Sequence, residues 1–202
     1  MAGSKQGETM TVTEGSPAPV PMARLEALLT DFRPAPVERW NPAHCGRIDI
    51  IIDRNGDWHH EGGRIERAAL VRLFATVLRR EADGTYVLVT PHEKLMITVE
   101  DAPFLAIDLV EDDRSRPPAL VFATNIGEAV RLDCDHPLRV AGGGPDAPFI
   151  PYLTVRAGLE ARLTRAVAAD LADRAIVSDG RLGVMSAGQF FVIGDAGMAT
   201  SA

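Results

Sequence analysis

The chain alternates between two kinds of apolar spacing, and each predicts its own element. Ile65, Ala69, Leu70, Leu73, Phe74, Val77 and Leu78 fall on one face at a helical pitch, which predicts a long amphipathic helix from about Arg64 to Glu81. Leu159, Leu163, Val167 and Leu171 form an i, i+4, i+8, i+12 stripe, which predicts a second helix over about Gly158 to Ala172. Between these lie short β-branched and aromatic runs that read as strands. Ile48 to Ile52 is closed by the turn signal Asp53-Arg54-Asn55-Gly56, with Trp58 to Glu61 as its returning partner. Tyr86 to Thr90 and Leu95 to Val99 flank Pro91-His92-Glu93-Lys94. Phe104 to Val110, Ala119 to Thr124, Ala129 to Leu132 and Tyr152 to Val155 follow, and Arg181 to Met185 with Phe190 to Ile193 form a closing hairpin.

A pattern of helix, Asp-Gly turn, strand, short turn and strand occurs twice, ending DGTYVLVTPHEKLMI at 83–97 and DGRLGVMSAGQFFVI at 179–193. Without a gap Tyr86 meets Leu182, Leu88 meets Val184, Leu95 meets Phe191 and Ile97 meets Ile193. We therefore expect an α+β fold of two lobes from an internal duplication, with mostly antiparallel sheets each packed with one long helix. The lobes are placed at 22–100 and 101–197, after a Pro/Gly-rich leader over 1–21 that reads as disordered. A short helix is expected at Ala23 to Phe32, stopped by Arg33-Pro34-Ala35-Pro36. Two related lobes make the cleft between them a natural ligand site.

Composition narrows the partners. With 202 residues and 46% apolar content the chain is long and apolar enough to bury a core, and its mean hydropathy is near zero. A net charge of -7 argues against nucleic acid as a partner. It leaves room for a small anion held by a few arginines, which supply every basic side chain except Lys5 and Lys94. No apolar run suits a signal peptide or a transmembrane segment, so a cytoplasmic protein is the expectation. Cys45 and Cys134 form no C-x-x-C pair and read as free thiols.

The motifs with chemical potential are sparse. In a strand His59 and His60 point to opposite faces, so the pair does not converge on one metal ion, and no H-E-x-x-H is present. Glu61 reads as a carboxylate near the start of the following helix. Cys134-Asp135-His136 and His44-Cys45 lack an accompanying nucleophile or oxyanion motif, and Gly142-Gly143-Gly144-Pro145 lacks the G-K-[ST] of a phosphate loop. Arg79 and Arg80 are expected in the last helical turn, where cations suit the dipole. No cofactor or metal is implied.

The run WHHEGGRIERAALVRLFATVLRREADGTYVLVTPHEKLMITVEDAPF, residues 58–104, resembles the bacterial family called domain of unknown function 1285. FATNIGEAV, DHPLRV, PYLTVRAGLEA and LGVMSAGQFFVIG match it too, so the resemblance runs from about Arg39 to Gly194. It implies duplicated lobes, the second like a pleckstrin-homology barrel closed by a helix. It also implies a nucleotide-like ligand between the lobes and a part in signal transduction. By matching position it covers His60, Glu61, Arg79, Arg80 and Glu81, then Thr90, Glu93, Glu100 and Asp101. In the second lobe it covers Thr124, Asn125, His136, Tyr152 and Arg156.

Those residues, with Trp58, are the candidate cleft. Arg79, Arg80 and Arg156 would grip an anionic group, and Trp58 or Tyr152 would stack a ring. The leading expectation is a non-enzymatic, ligand-binding regulatory protein. The alternatives are an acid/base hydrolase or transferase using Glu61, His60 and Glu100, and a protein-interaction adaptor.

Overall fold

The structure is a computed structural model that describes residues 32–142 and 148–195. The leader expected over 1–21, the helix expected before Phe32 and most of the Gly142–Pro145 loop lie outside the described residues. The first half holds β1 (His44–Ile52), β2 (Trp58–His60), β3 (Gly63–Arg64), helix α1 (Ala68–Thr76), β4 (Leu78–Arg80), β5 (Tyr86–Val89) and β6 (Glu93–Val99). The second holds β7 (Phe104–Asp112), β8 (Ala119–Thr124), β9 (Ala129–Arg131), β10 (Leu138–Ala141), β11 (Ile150–Arg156) and β12 (Leu159–Leu163). Helix α2 (Arg165–Asp173) then leads into β13 (Ile176–Ser178), β14 (Arg181–Ser186) and β15 (Gln189–Asp195).

Two six-stranded sheets share one plan. The orders are β3-β2-β1-β6-β5-β4 and, read in the matching direction, β9-β8-β7-β12-β11-β10. Each joins two antiparallel meanders through one central parallel pair, β1 with β6 and β7 with β12. The last three strands form a separate antiparallel sheet.

The repeat expected at 83–97 and 179–193 is not the one the sheets share, since their common plan sets β5–β6 opposite β11–β12 and leaves β14–β15 in the third sheet; the two segments agree only as hairpins. Val87, Leu88 and Val89 pair with Met96, Leu95 and Lys94, while Gly183, Val184 and Met185 pair with Val192, Phe191 and Phe190. That is the register of the gapless alignment. It fails at the outer end: Tyr86 faces Ile97, but Leu182 faces Gly194, because a bulge separates Leu182 from Gly183.

Both long helices are corrected to nine residues. At the first, Thr76 donates its hydroxyl back to the Leu73 carbonyl and Val77 N–H bonds Phe74, which tightens and ends α1. The next residues alternate as β4, so Leu78 reaches the core from a strand, and Arg79 and Arg80 are strand residues rather than the end of a helix. At the second, Leu159, Ala161 and Leu163 are buried between half-exposed Glu160 and Arg162, a period of two. An i, i+4 apolar pair fits either period, and here the strand wins. Glu61 does not cap the helix either; it sits in the β2–β3 turn at φ 49°, seven residues before α1.

One hydrophobic core spans both halves and holds Ile50, Ile52 and Trp58 of the first with Phe104, Phe122 and Leu153 of the second. A smaller cluster of Val37, Val87 and Val89 is covered by Trp40 beside a 3-10 turn at Val37–Arg39. Among the described residues no helix is long and apolar enough to cross a membrane.

Candidate functional site

The two lobes are tied at the turn between β8 and β9. Thr124 holds this turn closed: its hydroxyl donates to the Glu128 carbonyl at 2.9 Å and accepts from the Glu128 N–H at 2.9 Å. The turn then meets the first lobe twice, and a third tie runs through Arg156. The Arg72 Nε of α1 donates to the Ile126 carbonyl at 2.8 Å, and Asn125 Nδ2 donates to the Gly56 carbonyl at 3.3 Å. Glu128 pairs with Arg156, whose second nitrogen donates to the Ala75 carbonyl at 2.8 Å near the end of α1. Two glycines make the approach feasible. A Cβ on Gly127, at φ 81°, would lie 2.0 Å from the Arg72 guanidinium, and one on Gly56, at φ 75°, would lie 2.8 Å from Asn125.

These contacts frame a cleft of about 960 Å³ between the lobes. That is at the upper end of the ordinary range for small-molecule sites, roughly 300–1,000 Å³. One wall is the second lobe, through Leu105, Ile107, Ala123, Thr124, Asn125 and Ile126, and it carries no charge. The opposite wall is the first lobe, with Trp58, Ile65 and Val71 interspersed with the charged Asp57, Arg64, Glu66 and Arg72. Arg64 donates to Asp57 at 2.7 Å, so that pair is neutral as a unit.

The first residue of α1, Ala68, also lines the cleft. Its N-cap residue, Arg67, supplies no side-chain hydrogen bond, and the first turn holds no acidic residue. The amides at this end therefore carry the positive pole of the helix without a carboxylate or hydroxyl of their own. Trp58 is buried against Phe74, with ring centroids 6.0 Å apart, and its buried indole N–H has no acceptor among the described residues.

Of the residues picked from sequence, Trp58, Thr124 and Asn125 line this cleft. Arg156 ties the lobes but is committed: its guanidinium lies over Phe32 and Phe104 at 5.0 and 5.1 Å, and burial lowers its pKa against the pull of Glu128. Burial likewise raises the pKa of Glu128, opposed by Arg156. Arg79 clamps the 3-10 segment, donating to the Val37 and Trp40 carbonyls at 2.7 Å each, and pairs with Glu81 at 2.6 Å. Glu81 also meets Lys94 at 3.4 Å. Arg80 reaches the Gly158 carbonyl at 3.4 Å and borders a shallower hollow with Glu81 and Gly158.

Other candidates stand apart. His60 Nδ1 lies 2.9 Å from the Asp49 carbonyl, while His59 Nε2 lies 3.2 Å from Asp53, so the adjacent histidines take different partners. Burial works to raise the Asp53 carboxyl, but hydrogen bonds from the Asp57 N–H, His59 and the Asn55 N–H hold it below its ordinary value. Thr90 and Glu93 bond each other across a turn, and Glu100 accepts from the Arg54 N–H at 3.2 Å. Tyr152 donates to Asp101 at 2.8 Å under the Arg139 guanidinium, and Asp101 pairs with Arg162 at 3.1 Å. His136 sits 2.9 Å from Asp133. Cys45 and Cys134 are free and exposed, and no group of three or more metal-ligating side chains occurs among the described residues.

Sequence reading passed over Asn55, Arg64, Arg72 and Gly127. The signal is partly there, since Asn55-Gly56 closes a turn motif, but nothing in the pattern says that this turn will meet the distant one between β8 and β9.

Comparison with known proteins follows the division seen in the fold. The family described as "Domain of unknown function (DUF1285), N-terminal domain" matches residues 35–102, and "Protein of unknown function (DUF1285), C-terminal domain" matches 103–193. A crystal structure of a DUF1285 family protein from Silicibacter pomeroyi DSS-3 is similar at 38% identity and a TM-score of 0.76, covering 87% of this chain and 97% of that one. Another, from Shewanella baltica OS155, shares 27% identity at a TM-score of 0.48 and covers 61% of this chain and 90% of that one. No curated protein matches.

Proposed function

The chain belongs to the DUF1285 family, and from that premise we propose that it is a cytoplasmic, non-enzymatic regulatory protein that binds a small organic anion between its lobes. The observation that carries this reading is the uncapped N-terminus of α1 at the cleft. A helix N-terminus favours an anion through its free amides and dipole, and Arg64 and Arg72 stand on the same wall. The grip expected from Arg79, Arg80 and Arg156 passes to these residues, because Arg79 and Arg156 already hold backbone carbonyls and ion pairs. A nucleotide-like ligand falls within the class, with an aromatic base for the apolar wall. Regulation would follow from the two-lobe contact: a ligand touching Asn125 and Ala68 at once favours one arrangement of the lobes over others.

A pleckstrin-homology-like reading of the second lobe is supported by its strand-rich build and one helix, β7 to β15 with α2. The helix precedes the last meander instead of closing the chain's fold. The acid/base alternative gains little from geometry, since His60 and Glu61 are exposed and outside the cleft lining.

The test is a thermal-shift panel of nucleotides, small carboxylates and inorganic phosphate on the wild type and on Ala68→Trp, which fills the cleft from an exposed position. A binder at a hundredfold excess over its Kd stabilises by about 2.7 kcal/mol, and this gain should vanish in Ala68→Trp. A panel without a binder, or an equal gain in both proteins, would overturn the reading.

A further inference from the structure

The charges of the cleft are divided unequally, and the division specifies the ligand further. The wall given by β7, β8 and the turn after them has no ionisable group, and Ile107 on it is 43% exposed, a large apolar side chain left open to solvent. All the charged lining side chains belong to the first lobe, and there the two arginines are matched by two acids, Asp57 and Glu66. Arg64 is already joined to Asp57, and Arg72 spends its Nε on Ile126. What remains in excess on that wall is the uncapped end of α1, about half a positive charge, beside an Arg72 whose charge Glu66 balances, so no more than a single negative charge is matched there. A nucleoside polyphosphate brings several charges, and it would meet Glu66 and Asp57 without enough free arginine to offset them.

Resting on the reading of the cleft as an anion site, we infer that its ligand is an amphipathic monoanion, a free carboxylic acid with an extended apolar body. The carboxylate sits at Ala68 and Arg72, and the apolar body lies along Leu105 and Ile107. Ile107 is exposed because the ligand, not the protein, covers it.

Calorimetry on the full chain with hexanoate, heptanoate and octanoate, beside AMP, ATP and octyltrimethylammonium, tests this. Burial of methylenes should tighten binding about fourfold for each carbon added, from about 0.8 kcal/mol per CH₂. Ile107→Asn, a surface change whose fold is checked by its melting curve, should flatten that dependence, and the cationic amphiphile should not compete. Tighter binding of AMP or ATP than of octanoate, abolished by Ala68→Trp, would overturn the inference and leave the cleft as an anion site. Equal affinity for octyltrimethylammonium would also overturn it. If neither carboxylates nor nucleotides bind, or if binding survives Ala68→Trp, both the inference and the reading beneath it fall.

Discussion

Helices α1 and α2 are the same length and begin differently. Thr164 caps α2: its side-chain oxygen accepts from the Val167 N–H, and the helix lies on the core through Val167, Ala168 and Leu171. Arg67 leaves α1 uncapped, and α1 buries Ala75 alone in full. Its place is fixed instead by two arginine contacts from either side of the lobe junction, Arg72 to Ile126 and Arg156 to Ala75. The six-stranded sheets beside them have the same order, but only the first places a helix between its meanders, where the second has the short link from Arg131 to Leu138. A shared frame thus carries one helix that serves packing and one that is held at a cleft. A helix end lacking a cap forgoes about 1 kcal/mol of stability.

The largest test of that contrast removes the ties of α1. Arg156→Ala leaves Glu128 buried without its partner and should cost about 3 kcal/mol in denaturant unfolding, the lower end for a broken buried pair because some solvent reaches both groups. Next, Gly127→Ala should cost about 2 kcal/mol, since a side chain at φ 81° is strained and its Cβ collides with Arg72. Neither change touches α2, so amide exchange should speed in α1 and leave α2 protected. Should α2 open first, the two helices are not independent in the way described.

At the other helix, Thr164→Ala should cost about 1 kcal/mol, the ordinary worth of an N-cap. The converse change, Arg67→Asp, should raise stability by up to about 1 kcal/mol while weakening any anion at the cleft. A stabilised variant with unimpaired anion binding would separate the helix end from the site. The smallest effect is in acid. The Asp53 carboxyl of the β1–β2 turn titrates below its ordinary 3.8, so its stabilising share is complete above that value and is lost as pH falls through the depressed one. Asp53→Asn should therefore lower the melting temperature near neutrality and flatten its decline below about pH 4.

Strand content was legible because β-branched runs bounded by Asn-Gly and Asp-Gly turns have few other uses, and the closing hairpin expected at Arg181 to Met185 and Phe190 to Ile193 is present as β14 and β15. Helix length was not, because Leu78 and Leu159 satisfy a helical stripe by spacing while sitting in strands. The site was legible only in part. Trp58 was noticed for its ring and Asn125 only through the family resemblance, whereas Arg64 and Arg72 acquire meaning only when the β8–β9 turn arrives beside α1. Conversely Arg79 looked like a ligand-gripping arginine and serves as a clamp on its own lobe, because two carbonyls and Glu81 consume its donors.

Whether an anion is held between the lobes at the open end of α1 is decided by a backbone amide NMR titration with octanoate and with AMP. Saturable shifts centred on Ala68, Ala69 and Asn125, on both walls at once, are expected for at least one of the two anions. Shifts from both that stay linear to the highest concentration, or that centre on Arg80 and Gly158 instead, would contradict that site.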